Sequence, residues 1–277
     1  MIRGYHSHSE FMSSRSINTD QITHLTGRLH LLGTSPYFLG SKSYFWMVIS
    51  VEEEALVAKK NADTLVGFVL DESGSMHSVW ESTISGFNEY VGTLKNDDTP
   101  TLLSVWAFNS SGVRTLYDCE DVTSVPEMSV DMYRPNSNTP LYDAIAKGIY
   151  ELQIFLNSRP GDWNVIFTIM TDGLENSSQM YSRREIIDLI KEKESEGWVF
   201  MYLGANQDAW EVAHSMGIKR EFSSSYEGSN PEEAFRVTAD STLRSKAGMR
   251  RGRKPSRAFT RDEMQRMMER KMGTRRR

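Results

Sequence analysis

The apolar positions of the chain change period along its length, and each change marks an element. Residues 65–70, LVGFVL, are apolar without alternation, as in a strand buried on both faces of a parallel sheet. The run stops at Asp71. Trp80, Ile84, Phe87, Tyr90 and Val91 then share one face of a helix over about residues 79–94. KNDDTP reads as a turn, TLLSVWAFN as a second strand and GVRTLYDCE as a third, with NSSG joining them at hairpin distance. Residues 121–138 lack a period and read as loop. Leu141, Ala144, Ile145, Ile149 and Leu152 predict a helix over residues 139–156, and WNVIFTIMTDG is another buried strand, ending on Asp172. A helix over about residues 182–193, the strand WVFMYLG, the helix QDAWEVAHSMG and a helix over residues 231–247 follow.

Strands alternating with helices predict the α/β class: a doubly wound, mostly parallel sheet with helices on both faces. The hairpin adds one antiparallel edge strand. Sheets of this kind bind ligands in the crevice at the carboxyl ends of their strands. Three regions are expected: a leader at residues 1–60, a domain at residues 61–228, and a helical, basic extension at residues 229–277. The first 46 residues are rich in Ser, His and Thr and show no sustained period, so they read as a poorly ordered leader or as an upstream extension of a start at Met47.

That crevice gives meaning to the polar residues at the strand ends. DESGSM places Asp71, Ser73 and Ser75 at alternate positions after the first core strand. Thr139 lies in PNSNTPLYDAI, and Asp172 ends the strand in FTIMTDGLENSS. Two carboxylates and three hydroxyls are hard oxygen donors, suited to Mg²⁺ or Mn²⁺ with water completing an octahedral shell. Singly, each has a plainer reading. Ser73 or Ser75 can cap a helix beginning near Met76, Thr139 can cap one ahead of Pro140, and Asp172-Gly173 can be a turn. The coincidence of all five favours the metal. Glu72, Asp143 and Glu175 are read as solvated or locally paired, and His77 as a helix-surface histidine rather than a base.

Asp-x-Ser-x-Ser, followed by a loop Thr and a strand-end Asp, resembles the metal-ion-dependent adhesion site of von Willebrand factor A domains, with the likeness running from Thr64 to Gly217. The resemblance implies a Rossmann-like fold with a divalent cation on its top face. In that family Ser73 and Ser75 would bind the metal directly, and Thr139, Asp71 and Asp172 directly or through water. One coordination position would be left for an Asp or Glu carboxylate of a protein partner. The chain is more similar to free-standing intracellular bacterial and phage members than to extracellular adhesive ones.

Composition narrows the classes that remain. With 277 residues, 39% hydrophobic and 25% charged, the chain suits one domain of ordinary size plus appendages. Cys119 is the single cysteine, which excludes an intrachain disulfide and a cysteine zinc cluster and points to a reducing compartment. The most apolar stretch, Tyr37 to Val51, is broken by Ser41, Lys42 and Ser43 and falls short of the roughly 20 residues a membrane span needs. No secretory signal is visible, so a cytoplasmic protein without membrane contact is expected. No GxxxxGK[ST], GxSxG or GxGxxG motif occurs and Ser73 has no evident His partner, so the chain is not expected to be an enzyme. A Mg²⁺-dependent phosphate-ester hydrolase is the catalytic alternative.

Charge adds a second reading. From Arg244 onward, 14 basic residues face three acidic ones, a net +11 that leaves −16 for the rest of a chain whose total is −5. Residues 244–277 suit nucleic-acid phosphates, and otherwise form a solvated tail or fold back on the acidic body. Within them Thr260 to Met272 can form a short helix, with Thr260 and Glu263 as a capping box.

Overall fold

Six strands form one sheet in the computed structural model of the protein, which describes residues 63–205 and 208–269. They are β1 (Asp63–Asp71), β2 (Thr101–Asn109), β3 (Gly112–Asp121), β4 (Trp163–Thr171), β5 (Val199–Ala205) and β6 (Ser223–Tyr226), in the order β3-β2-β1-β4-β5-β6. Only β3 runs antiparallel to its neighbour. The helices are α1 (Trp80–Lys95), α2 (Leu141–Ser158), α3 (Arg183–Ser195), α4 (Ala209–Ser215), α5 (Pro231–Arg250) and α6 (Arg261–Met267). A 3-10 turn over Gly74–Val79 leads into α1. The expected leader at residues 1–60 and the end of the tail at residues 270–277 lie outside the described residues.

The doubly wound α/β reading holds, and β1 shows why its pattern is apolar throughout. Phe68 packs with Phe87 and Tyr90 of α1 and Phe235 of α5, at ring-centroid distances of 5.3–5.9 Å. The next residue back, Gly67, faces Leu152 of α2 on the other side of the sheet. Strands covered on both faces have no solvent side to mark with polar residues. Parallel register sets Leu70 opposite Met170, so β1 and β4 end together. Between these strands the chain order reverses, β2 and β3 lying to one side and β5 and β6 to the other. That is the position of the ligand crevice in such sheets.

Two elements differ from the sequence expectation. β6 reads SSSY, with no apolar run to announce it; it joins the sheet through parallel pairing of Tyr202 with Ser223 and of Ala205 with Tyr226. α2 starts at Leu141 and not at Thr139, because Pro140 occupies the N-cap position with backbone angles outside the helical region.

α5 and α6 fall in the expected C-terminal extension, and they pack into the same core. A Cβ placed on Gly86 of α1 would stand 2.6 Å from the Phe235 ring and 3.0 Å from the Glu232 backbone, so the missing side chain lets α1 and α5 meet. Lys246 is buried, pairs with Asp97 at 2.7 Å and donates to the Thr99 carbonyl and the Thr101 hydroxyl. Thr260 and Glu263 form the expected capping box, and Glu263 also pairs with Arg244 at 2.7 Å. Part of the positive charge read as a nucleic-acid surface is thus spent on bonds inside the fold. Among the described residues, no helix is long and apolar enough to cross a membrane.

Phe235→Ala is expected to lower stability by about 3–5 kcal/mol, the usual cost of emptying an aromatic core site. Urea unfolding measures it. An unchanged midpoint would show that α5 is only appended to the sheet.

Candidate metal centre

β1 delivers Asp71 fully buried to the carboxyl edge of the sheet. Its Oδ1 accepts the Ser73 backbone N–H at 2.7 Å, its Oδ2 accepts the Thr171 hydroxyl at 2.5 Å, and its carbonyl accepts the Tyr133 hydroxyl at 2.6 Å. The carboxylate is therefore held from the loop after β1, from the end of β4, and through its own backbone.

The two serines are not spent on the helix that follows. Ser73 sits in the N-cap position of the 3-10 turn, yet its side chain makes no cap bond. Its Oγ lies 3.0 Å from Ser75 Oγ, and Ser75 donates to Asp172 Oδ1 at 2.5 Å, across 97 positions of sequence. A chain of oxygens thus runs from the end of β1 to the end of β4.

Thr139 is buried, and its backbone is tied to the loop after β4. Its N–H donates to Asn176 Oδ1 at 2.9 Å, and its carbonyl accepts the Asn176 N–H at 3.2 Å. A Cβ on Gly173 would stand 2.9 Å from Thr139 Oγ1, so only glycine lets that hydroxyl lie beside the backbone that follows Asp172. The hydroxyl does not cap α2. All five residues expected from the sequence come together here: four through direct hydrogen bonds, and Thr139 through its contact with Gly173.

Both carboxylates are under-compensated. Burial pushes the Asp71 pKa up from 3.8 to about 6, against the opposing bonds from Thr171 and Ser73, and the nearby Asp172 charge adds to the rise. Burial also raises Asp172, with the Ser75 bond opposing it. No cation is among the groups that shift either one. The described residues hold no cluster of three His, Cys, Asp or Glu, so a cation here would rely on hydroxyls as much as on carboxylates. That donor set, hard, oxygen-only and short of positive charge, fits Mg²⁺ or Mn²⁺.

The neighbouring acids do different work. Glu175 accepts from the backbone of Tyr142, Ser177 and Ser178 at 2.7–3.0 Å, and Asp143 from that of Gln179, Met180 and Tyr181 at 2.8–3.0 Å. Together they lash the loop after β4 to the first turn of α2, which keeps Thr139 beside Asp172. Both are paired, but only Glu175 has local partners; those of Asp143 lie 36–38 positions away. Glu72 departs from the solvated alternative: it is buried, on a guanidinium from β3 and a backbone N–H from the loop before α2. The hint in the sequence was position alone, an acid inside DESGSM where the chain must cross the sheet edge. His77 is exposed and lies beside Trp80, as a helix-surface histidine does.

No protein-family model matches the chain, and neither does any curated protein. Solved structures do. The pilus adhesin SpaC of Lactobacillus rhamnosus GG aligns with 65% of this chain at 12% identity and a TM-score of 0.52. Proximal thread matrix protein 1 of the mussel byssus, solved with a zinc-occupied MIDAS motif, aligns with 68% at 14% identity and a TM-score of 0.48. A von Willebrand factor type A protein of Catenulispora acidiphila aligns with 68% at 15% identity and a TM-score of 0.48. The aligned region spans 30%, 48% and 43% of those three chains. At such identities the likeness is one of fold.

The raised Asp71 pKa fixes a pH dependence for the metal-free protein. In chelator the unfolded chain loses the Asp71 proton near 3.8 and the folded chain only near 6. The folded state binds more protons in that window, so this group's contribution to stability falls as pH rises through it. The stability of Asp71→Asn relative to the wild type is expected to rise across the same window by about 3 kcal/mol from its value in acid. Urea midpoints measured in chelator from acid to neutral pH test this, and parallel curves for the two proteins would refute it.

Proposed function

From a von Willebrand factor A-like fold with this oxygen-lined edge, we propose that the protein is a metal-dependent protein-binding module recognising an Asp or Glu side chain of its partner. The observation that carries the reading is the hydrogen-bonded run from Ser73 through Ser75 to Asp172, set beside a buried Asp71 that has no countercharge among the described residues. Single caps and turns would not bring these groups to one place.

Ser73 and Ser75 would offer hydroxyls to Mg²⁺ or Mn²⁺, and Asp71, Thr139 and Asp172 would complete the protein's share of the shell. When bound, the cation supplies a Lewis-acid position that a carboxylate can occupy. Hydroxyl donors bring no charge, so they leave more of the cation's field for that carboxylate than a cluster of acids would. The Tyr133, Thr171 and Gly173 contacts keep the donors in place before any partner arrives, which lowers the ordering cost of binding.

In this reading the module binds and turns nothing over. Ser73 has Ser75 beside its hydroxyl, and no histidine bonds it among the described residues. A cytoplasmic setting accords with the lone Cys119, whose thiol burial pushes up to about 11, well above the pKa of a reactive cysteine.

Addition of Mg²⁺ or Mn²⁺ is expected to raise the unfolding midpoint of the wild type and not of Asp71→Ala. At a hundredfold excess over Kd the gain is about 2.7 kcal/mol. In a pull-down from native lysate, the captured proteins should be lost both with chelator and with Asp71→Ala. Capture of the same partners in every arm would overturn the binding role while leaving the fold intact.

A further inference from the structure

Glu72 follows Asp71, and every polar group it carries is committed to a neighbouring strand or loop. Its N–H donates to the Phe108 carbonyl at 2.9 Å, extending the β1–β2 pairing by one residue. Its carbonyl accepts the Asn136 N–H at 2.9 Å. Its buried carboxylate accepts Arg114 Nη2 at 2.6 and 2.9 Å and the Arg134 N–H at 2.5 Å. The same Arg114 nitrogen donates to the Met132 carbonyl at 2.9 Å.

Residues 132–136 are thus gripped by Glu72 through both its side chain and its backbone. This segment leads directly to Thr139. Further bonds run in parallel: Tyr133 to the Asp71 carbonyl, and the Gly74 N–H to the Ser137 carbonyl at 2.9 Å. A Cβ on Gly74 would stand 3.3 Å from that carbonyl oxygen, so the two loops lie back to back. Ser137 has a φ of 67°, a left-handed conformation, and the bond from Gly74 helps to hold it there. The chain reaches Thr139 by a path that a free loop would not adopt.

The charges give the same picture. Arg114 comes from the edge strand β3 and is half exposed, whereas the Glu72 carboxylate it meets is buried. A buried carboxylate without a partner costs several kcal/mol, so the pair ties the edge of the sheet to the loop beside Asp71. Among the described residues, Asp71 and Asp172 have no such cation. Glu72 is neutralised and fixed, while its neighbour is left free to meet a charge.

We infer that Glu72 is a positioning residue for the metal site. Clamped by Arg114, it sets the 132–139 loop so that the Thr139 hydroxyl stands with Ser73, Ser75 and the two aspartates. This rests on the metal-binding reading above and assigns Glu72 no direct bond to the cation.

Mn²⁺ titrations of the full chain, followed by electron paramagnetic resonance, test it through a double-mutant cycle. Glu72→Gln and Thr139→Ala are each expected to weaken Mn²⁺ about tenfold, within the range typical of residues that orient metal ligands. The double variant should bind about as the single ones do, because Glu72 acts through Thr139. Additive losses, about a hundredfold in the double variant, would show a direct charge effect or general loosening and overturn the inference. So would wild-type affinity in either single variant. Arg114→Gln, at a half-exposed edge position, serves if Glu72→Gln does not fold; its loss should likewise vanish in the Thr139→Ala background. A wild type that binds no Mn²⁺ would sink the metal-binding reading itself. Tight wild-type binding abolished by Asp71→Ala, with Glu72→Gln unaffected, would sink only the role of Glu72.

Discussion

A buried carboxylate without a countercharge among the described residues stands at the end of the central strand, and the surrounding loops are arranged about it. β1 is covered on both faces, so the residue that ends it emerges inside the protein and not in water. At Asp71 the chain sets an ionisable group in a buried place, and burial raises its pKa to about 6. The Ser73 N–H and the Thr171 hydroxyl offset part of the effect of burial. They do not remove it, and a fold that tolerates such a group unpaired retains it for something other than stability.

The acids near the crevice divide by how they are satisfied. Glu72, Asp143 and Glu175 have backbone N–H donors or a guanidinium, and each joins two segments that are distant in sequence. Asp71 accepts the Thr171 hydroxyl and the Ser73 N–H, and Asp172 the Ser75 hydroxyl. Hydroxyls can turn their lone pairs to a cation without leaving their place, whereas a backbone N–H can only donate. The carboxylates of Glu72 and Asp143 have no hydroxyl partner among the described residues, and the one on Glu175 comes from Ser178 in its own loop. These three acids bind the loops after β1, before α2 and after β4 into one body, which is what lets five donors from three loops converge.

Much of this was legible in the sequence, for identifiable reasons. The strands β1, β4 and β5 announce themselves because burial on both faces leaves an unbroken apolar run. The five donors could be picked out because three alternate-position oxygens exceed what a helix cap uses. β6 was not legible: SSSY gains its place from Tyr202 and Ala205 across the sheet, and no local pattern encodes that pairing. Nor was the buried state of Glu72, since its partners come from β3 and the loop before α2, 42 and 62 positions away. The place of α5 turned on Gly86 and Phe235, a contact between helices 150 residues apart that composition, dominated by the basic residues downstream, concealed.

Charge at long range and charge at contact oppose each other in this molecule. Outside residues 244–277 the chain carries a net −16, which on the proposed function would repel an acidic partner on approach. Over a Debye length of about 8 Å at physiological salt such repulsion would fade. At contact the balance inverts. A cation held with the help of neutral hydroxyls presents its charge at bonding distance, where a unit charge pair near a protein surface is worth about 4 kcal/mol at 4 Å. On the proposed function, the diffuse field would discourage casual association with acidic surfaces, and a single point of positive charge would reward only a carboxylate that can enter the crevice. Selectivity would then follow from the shape of the edge between β1 and β4, which the Glu72, Asp143 and Glu175 ties hold together, and not from net charge.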